Sequence, residues 1–311
     1  MAFFRWEFRF LAMLILVNPP LSAQTSRSLD WKKIDAAIGA KGAMTETENV
    51  YKVTFPRSDV PISVDGRTME PFLGFTSWVA FQPGVTAECV LMGDLVLFED
   101  EVNPAMSAAL SAGVQVTALH NHFFFDSPRV YFMHLGGEGK AEDLAAGVRS
   151  ALDAAQVSRS RSAQPQTSSG LAPVPETSSI PAEIVDVILG VKGQVKDGMY
   201  KAVIGRSVTM TACGCTVAKD MGVNTWAAFA GTQERALVDG DFAVLEGELQ
   251  VVLKTLRSAG INIVAIHHHM VGETPRMLFV HYWGTDTVEN LARGVKSALE
   301  AQRAVDRSKR D

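Results

Sequence analysis

Apolar and polar positions alternate along this chain in two distinct periods. Phe72–Phe81 and Val90–Glu99 are rich in β-branched and aromatic residues, and Val114–His122 and Val130–Leu135 follow the same pattern. These stretches predict strands. Between the second and third, Asn103 reads as an N-cap, Pro104 as the first helical residue and Gly113 as the left-handed residue past the helix end. Strand, short helix, strand is a crossover unit, so Val90–Glu99 and Val114–His122 are expected to lie as parallel neighbours. Pro128 stands in a turn from which Val130–Leu135 returns. Lys140–Ala155 carries Leu144, Val148 and Leu152 four residues apart, which predicts a closing amphipathic helix.

The whole pattern occurs twice. A shift of 147 positions lays Asp94–Leu152 on Asp241–Leu299 without a gap, and 22 of those 59 pairs are identical. Gly260 then matches Gly113. Further out, Arg57 matches Arg206 and Trp78 matches Trp226. The expected architecture is a mixed α+β (α/β) domain built twice, with residues 29–155 and 180–303 as the copies. Each copy holds a mixed sheet, a crossover helix, a hairpin and a C-terminal helix. Two copies are too few for a solenoid and suggest a pseudo-two-fold pair. The stretch between them, residues 156–179, is rich in Ser, Pro and Gln without apolar period and reads as a linker.

The chain's ends and composition add limits. Arg5 and Arg9 precede an apolar run, Phe10–Val17, and Leu21-Ser22-Ala23 ends in small residues. Residues 1–23 therefore read as a secretory signal peptide, and the protein as periplasmic or secreted. No other segment is apolar enough to span a bilayer. At 311 residues, 47% hydrophobic and 20% charged, the chain can bury two cores. A net charge of -5 without a basic stripe argues against a nucleic-acid partner. Of three cysteines, Cys213-Gly-Cys215 reads as a metal or redox motif, or as small residues with one bridge, and Cys89 stands apart.

The chemistry concentrates in the repeat. His120, His122 and His134 match His267, His269 and His281, and the seventh histidine, His268, lies inside the second set. Strand alternation puts Val114, Val116, Ala118, His120 and His122 on one core-facing side, with Asn121 and His268 pointing away. An odd-length connection would bring His134 and His281 to that same face. On the preceding strand Glu99 and Glu101, matched by Glu246 and Glu248, are expected to approach the histidines. Asp94 and Asp241 read as turn ends. Three imidazoles and a carboxylate suit a divalent metal, Zn²⁺ foremost, with one site per copy. A hydrogen-bonded polar core and metal-free acid–base catalysis are the rival readings of the same residues. As an enzyme, the metal would be a Lewis acid toward a small carbonyl or carboxylate compound. Glu99 or Glu101 would then be the acid–base partner, and Arg129, matched by Arg276, would hold an anionic group. The alternative is a non-catalytic module for a cell-envelope ligand, with structural histidines. Trp78 and Trp226 read as core.

The stretch GDLVLFEDEVNPAMSAALSAGVQVTALHNHFFFDSPRVYFMHLGGEG and its second-copy partner resemble the LppY/LpqO family, a bacterial group with a duplicated domain of unknown function. The resemblance covers nearly all of the chain after residue 23. It implies an exported protein and no particular activity. Named members look like lipoproteins, whereas this chain has no lipid-accepting cysteine at the cleavage position.

Overall fold

The computed structural model describes residues 28–211 and 213–308, so the signal peptide expected at residues 1–23 lies outside the described residues. Copy one runs α1 (Trp31–Ile38), β1 (Ala43–Thr45), β2 (Val50–Pro56), β3 (Ile62–Val64), β4 (Arg67–Met69), β5 (Thr76–Pro83), β6 (Cys89–Phe98), α2 (Glu99–Ser111), β7 (Gln115–His120), β8 (Asp126–Ser127), β9 (Val130–Gly139) and α3 (Ala141–Arg161). Copy two repeats it as α4 (Ala182–Leu189), β10 (Gln194–Lys196), β11 (Met199–Gly205), β12 (Val208–Met210), β13 (Cys215–Val217), β14 (Asn224–Gly231), β15 (Ala236–Leu245), α5 (Leu249–Ser258), β16 (Asn262–His267), β17 (Glu273–Thr274), β18 (Met277–Asp286) and α6 (Val288–Ser308).

Among the described residues, twelve strands form one sheet in the order β1-β2-β5-β6-β9-β7-β16-β18-β15-β14-β11-β10. The fold is mixed α+β and the repeat is real at the level of every element. One apolar cluster lines the helix-covered face and spans both copies, from Ile34 and Val148 to Leu253 and Val295. On the opposite face two small three-stranded sheets, β4-β3-β8 and β13-β12-β17, each cover a minor core. Phe75, Phe98 and Phe132 fill the first, and Val223, Met277 and Phe279 the second.

Four expectations need correction. First, β6 and β7 run parallel but are not neighbours, because the returning strand β9 lies between them and pairs antiparallel with both. Second, the first predicted strand starts late. Pro71–Leu73 form a 3-10 turn that leaves Phe72 almost fully exposed, and the strand begins at Thr76. Third, α2 begins at Glu99. The Glu101 carboxylate accepts from the Phe98 N–H (2.9 Å) and caps the helix there. Pro104 thus stands inside the helix and has no N–H for the Asp100 carbonyl four residues back. Ser158 Oγ supplies that bond instead (3.3 Å). Fourth, α3 continues past Ala155 to Arg161, because Arg159 is buried against Glu101 (2.6 Å) and Asp100.

The copies meet at β7 and β16, where Leu119 pairs with its own counterpart Ile266. Two amides flank this junction. Asn103 bonds the backbone of Ile263 (2.8 and 3.2 Å), and Gln250 bonds that of Val116 (2.9 and 3.0 Å). Each is the 147-residue image of the other, so the contact is two-fold in the geometry of its bonds. It leaves β1 and β10, both three residues long, as the free edges of the sheet.

Candidate metal centre

The histidines reach their face through a bulge. The β7–β9 register shifts between Val116 and Ala118, and the β16–β18 register shifts at the matching point between Ile263 and Ala265. An extra residue flips the alternation beyond it. Val114, Val116 and Leu119 therefore face the helices, while Ala118 and His120 face the other way. This corrects the single core-facing row expected from Val114 to His122. His122 and His269 lie just past the strand ends, and His268 is exposed beside them.

His120 pairs with Phe132 and Ala118 with His134, so His134 shares the face of His120; His267, Ala265 and His281 repeat this. Continuing the Leu119–Ile266 register places His120 beside Ala265 and His267 beside Ala118. The rows His134–Ala118–His267 and His120–Ala265–His281 thus run side by side across the junction. An alanine stands in the middle of each row.

In copy two, three ligating atoms converge. Asp241 Oδ2 lies 3.2 Å from His269 Nε2 and 3.6 Å from His267 Nε2, and the two nitrogens are 3.2 Å apart. His269 Nδ1 lies 3.0 Å from the Gly222 carbonyl. A carbonyl only accepts, so Nδ1 carries the proton and Nε2 presents a lone pair to the cluster in the neutral ring. Gly222 ends the 3-10 turn Lys219–Met221 at a φ of 86°, a left-handed value that suits glycine. His269 also stacks on Phe279 with centroids 3.5 Å apart. His281 is drawn aside to Asp239 (3.1 Å) and lies edge-on to Trp226.

Copy one arranges the same residues differently. His134 Nε2 lies 3.0 Å from His120 Nε2, and His120 Nδ1 lies 3.2 Å from the Asn121 carbonyl. His122 stacks on Phe132 at 3.3 Å. Burial and then the neighbouring His120 hold its pKa below the ordinary imidazole value; Asp94 opposes this, and His134 adds to it. Asp94 is paired across the ladder with His134, as Asp241 is with His281.

Both aspartates are mid-strand, nearly buried, and each keeps one carboxylate oxygen without a partner, as does His267 Nδ1. Orphaned buried oxygens are uncommon and costly, about 1–3 kcal/mol or more each. These aspartates are the acids that the sequence reading placed at turn ends. The signal for them was available: they hold one offset in both copies, within largely apolar strands.

The glutamates go elsewhere. Glu101 is fully buried, held by both Arg57 nitrogens (2.6 Å each) and by Arg159 (2.6 Å). Glu248 is equally buried against Arg206 (2.6 and 3.1 Å) and Gln302 (2.7 Å). These acids anchor the helix starts and do not approach the histidines, because α2 and the turn Glu246–Glu248 begin where strands were expected. Glu99 and Arg129 pair with each other at 3.5 Å on the surface. Glu246 is exposed, and its N–H reaches the Arg276 carbonyl (3.4 Å). Trp78 and Trp226 are half-buried under Lys52 and Lys201. No helix among the described residues is long and apolar enough to cross a membrane.

Comparison with solved structures finds bacterial microcompartment shell proteins. The trimeric shell protein PduB is 12% identical, with 86% of this chain and 93% of that chain covered, at a TM-score of 0.20. EtuB from Clostridium kluyveri is 11% identical over the same shares, at 0.22. EutL from Clostridium perfringens is 15% identical over 72% and 83%, at 0.20. Scores this low carry no argument about assembly or role. No match is found among curated proteins. A family model described as Domain of Unknown Function (DUF1259) matches residues 32–154 and again 183–301. The chain therefore belongs to the Domain of Unknown Function (DUF1259) family and carries its domain twice.

Proposed function

We propose that this chain is an exported protein of the LppY/LpqO type that binds a divalent transition metal in each copy, Zn²⁺ foremost. The observation that carries the reading is the triangle of Asp241, His267 and His269. Its edges are 3.2, 3.2 and 3.6 Å. A tetrahedral ion with ligand bonds of about 2.0–2.2 Å has ligand–ligand edges of about 3.3–3.6 Å. The triangle is thus close to one face of such a site. A neutral His269 aims a lone pair at a carboxylate oxygen, which leaves two acceptors facing each other unless a cation stands between them.

In this reading His281 closes the copy-two set, and His120, His122, His134 and Asp94 form the copy-one set. Nitrogen and carboxylate ligands together suit Zn²⁺, and Mn²⁺, Fe²⁺, Ni²⁺ and Cu²⁺ accept them too. His269 and His122 are exposed, so a small carbonyl or carboxylate compound has access to the ion as a Lewis acid. Glu101 and Glu248 are committed to arginines, so an acid–base partner would not be drawn from them.

One observation favours a second reading. The contacts of Asp241 and of Asp239 with imidazoles also suit a hydrogen-bonded, metal-free structural network. Elemental analysis of the purified chain, with His120→Ala and His267→Ala variants, separates the two. The metal reading expects up to two equivalents and the loss of one in each variant. A protein that takes up no metal on reconstitution would sink it.

A further inference from the structure

Cys213 and Cys215 are joined by a disulfide in the turn between β12 and β13. The equivalent turn in copy one joins β3 to β4 through Asp65 and Gly66 alone, both at positive φ (48° and 78°). That hairpin closes with no cross-link, and the copy-two turn has a backbone bond of its own beside the bridge, from the Gly214 N–H to the Met210 carbonyl (2.8 Å). The bridge spans a sequence separation of only 2. So small a ring removes the least chain entropy from the unfolded state and adds little stability. Both cysteines are exposed, as are Thr211, Gly214 and Thr216 around them. An exposed bridge with little structural duty belongs to the readily exchanged class.

The local hydrogen bonding gives the exchange a direction. The Cys215 N–H donates to Cys213 Sγ at 3.4 Å. That donor would stabilise a thiolate on Cys213 and make it the better leaving group. We propose that Cys213–Cys215 is a redox-active site that exchanges electrons with a dithiol reductant. The reductant's thiolate attacks Cys215 Sγ, the S–S bond breaks, and its electron pair leaves on Cys213 Sγ. The second thiol of the reductant attacks its own sulfur in the mixed disulfide, closes the reductant into a disulfide, and releases the Cys215 thiolate. Two electrons pass to the protein, and the two thiol protons end on the cysteines or in solvent.

The turn is also tied to the histidine hairpin. Thr211 N–H and Oγ1 both donate to the Gly272 carbonyl, the first at 3.0 Å. Met210 pairs with Glu273 in the β12–β17 ladder. The bridge lies in the same turn as Thr211, so opening it would loosen these local bonds while the β12–β13 ladder stays in place. The site is peculiar to copy two.

The test uses the full chain under native conditions with dithiothreitol, alkylation by N-ethylmaleimide and intact-mass measurement. Cys89 is an internal control, since it is buried and burial pushes its thiol up to about 11. The expected result is alkylation of Cys213 and Cys215 while Cys89 stays silent. Amide exchange at Thr211 should speed by roughly tenfold on reduction. The double variant Cys213→Ser with Cys215→Ser should show that faster exchange without dithiothreitol and no further response to it. Alkylation of Cys213 and Cys215 only when Cys89 also reacts would mean that reduction requires unfolding, and would overturn the proposal. Unchanged exchange at Thr211 in the reduced chain would overturn the tie to the hairpin.

Discussion

The two histidine hairpins carry the same three imidazoles beside the same aspartate of the neighbouring strand, yet they set them differently. In copy one the third histidine, His134, turns to His120 (3.0 Å). In copy two its counterpart, His281, turns to Asp239 (3.1 Å), and the HxH pair closes on Asp241 instead. Asp239 has Met92 at the matching place in copy one. A single acidic residue one strand away is therefore enough to divert an imidazole. The backbone supplies the same constellation twice, and the surrounding side chains decide how it is spent.

The largest effects should come from the ligands. His267→Ala should remove the copy-two equivalent of metal and leave the copy-one equivalent intact, with His120→Ala doing the reverse. Loss of both equivalents from either single variant would show that the hairpins act as one site across the junction. Next in size is the anchor that the copies share. Glu101→Ala leaves Arg57 and Arg159 buried without their carboxylate and should cost about 3–5 kcal/mol in denaturant unfolding. A cost below about 1 kcal/mol would mean that this buried network is not what fixes the start of α2.

Glycines on the strands beside the site should separate the copies more finely. A Cβ at Gly240 would meet the Tyr282 ring at 2.3 Å and the Trp226 carbonyl oxygen at 2.4 Å. At Gly93 the nearest atoms are a Val79 methyl at 2.6 Å and the Trp78 carbonyl oxygen at 3.0 Å. Gly240→Ala should cost about 1–3 kcal/mol, and Gly93→Ala less, because a valine methyl yields more easily than a buried ring. Equal melting shifts would contradict this difference.

Asp239→Met makes copy two resemble copy one around its third histidine. His281 then no longer has to leave the Asp239 carboxylate to ligate the ion, and the copy-two site should tighten by about tenfold, read by titration calorimetry in a His120→Ala background. A weaker site would mean that Asp239 belongs to the ligand set.

The smallest effect is at the sheet's outer end. Asp186 accepts from Tyr200 (2.6 Å) and from the Gly193 N–H (2.9 Å), and these, the tyrosine first, hold its carboxyl below 3.8. A depressed folded value stabilises above the unfolded pKa and is lost as pH falls through the folded value. The stability gap between the wild type and Asp186→Asn should therefore shrink as pH drops below about 3.8. A gap that widens in acid would refute this role.

Much of this could be read from the sequence. The repeat and the mixed α+β architecture follow from spacing and period, and the shared face of His134 and His120 follows from strand parity across the hairpin; the acid beside them does not, since Glu99 and Glu101 were expected there and Asp94 stands there instead. What escaped was non-local or masked. Thr117 and Val264 are good strand residues, so nothing in their identity marks the bulge that turns His120 away from the helices. Pro104 hid the true start of α2, since only the fold shows Ser158 taking the stranded Asp100 carbonyl. The insertion of β9 between β6 and β7 depends on strand order, which pairing preferences along the chain do not encode. The glutamates were misplaced for the same reason as the helix start: alternation was extended into residues that are already helical.

The pairing of Leu119 with Ile266 carries one more consequence. A surface that meets its own image needs no second kind of surface, so either half of this chain has the chemistry of an isologous homodimer. In such a dimer every change at the hairpin would appear twice, on both sides of the axis. Covalent joining removes that constraint. Asp239 and the Cys213–Cys215 bridge are changes of this kind, held on one side while the other keeps Met92 and a plain Asp65-Gly66 turn. The fused chain keeps the scaffold of a symmetric pair and can give its halves different work.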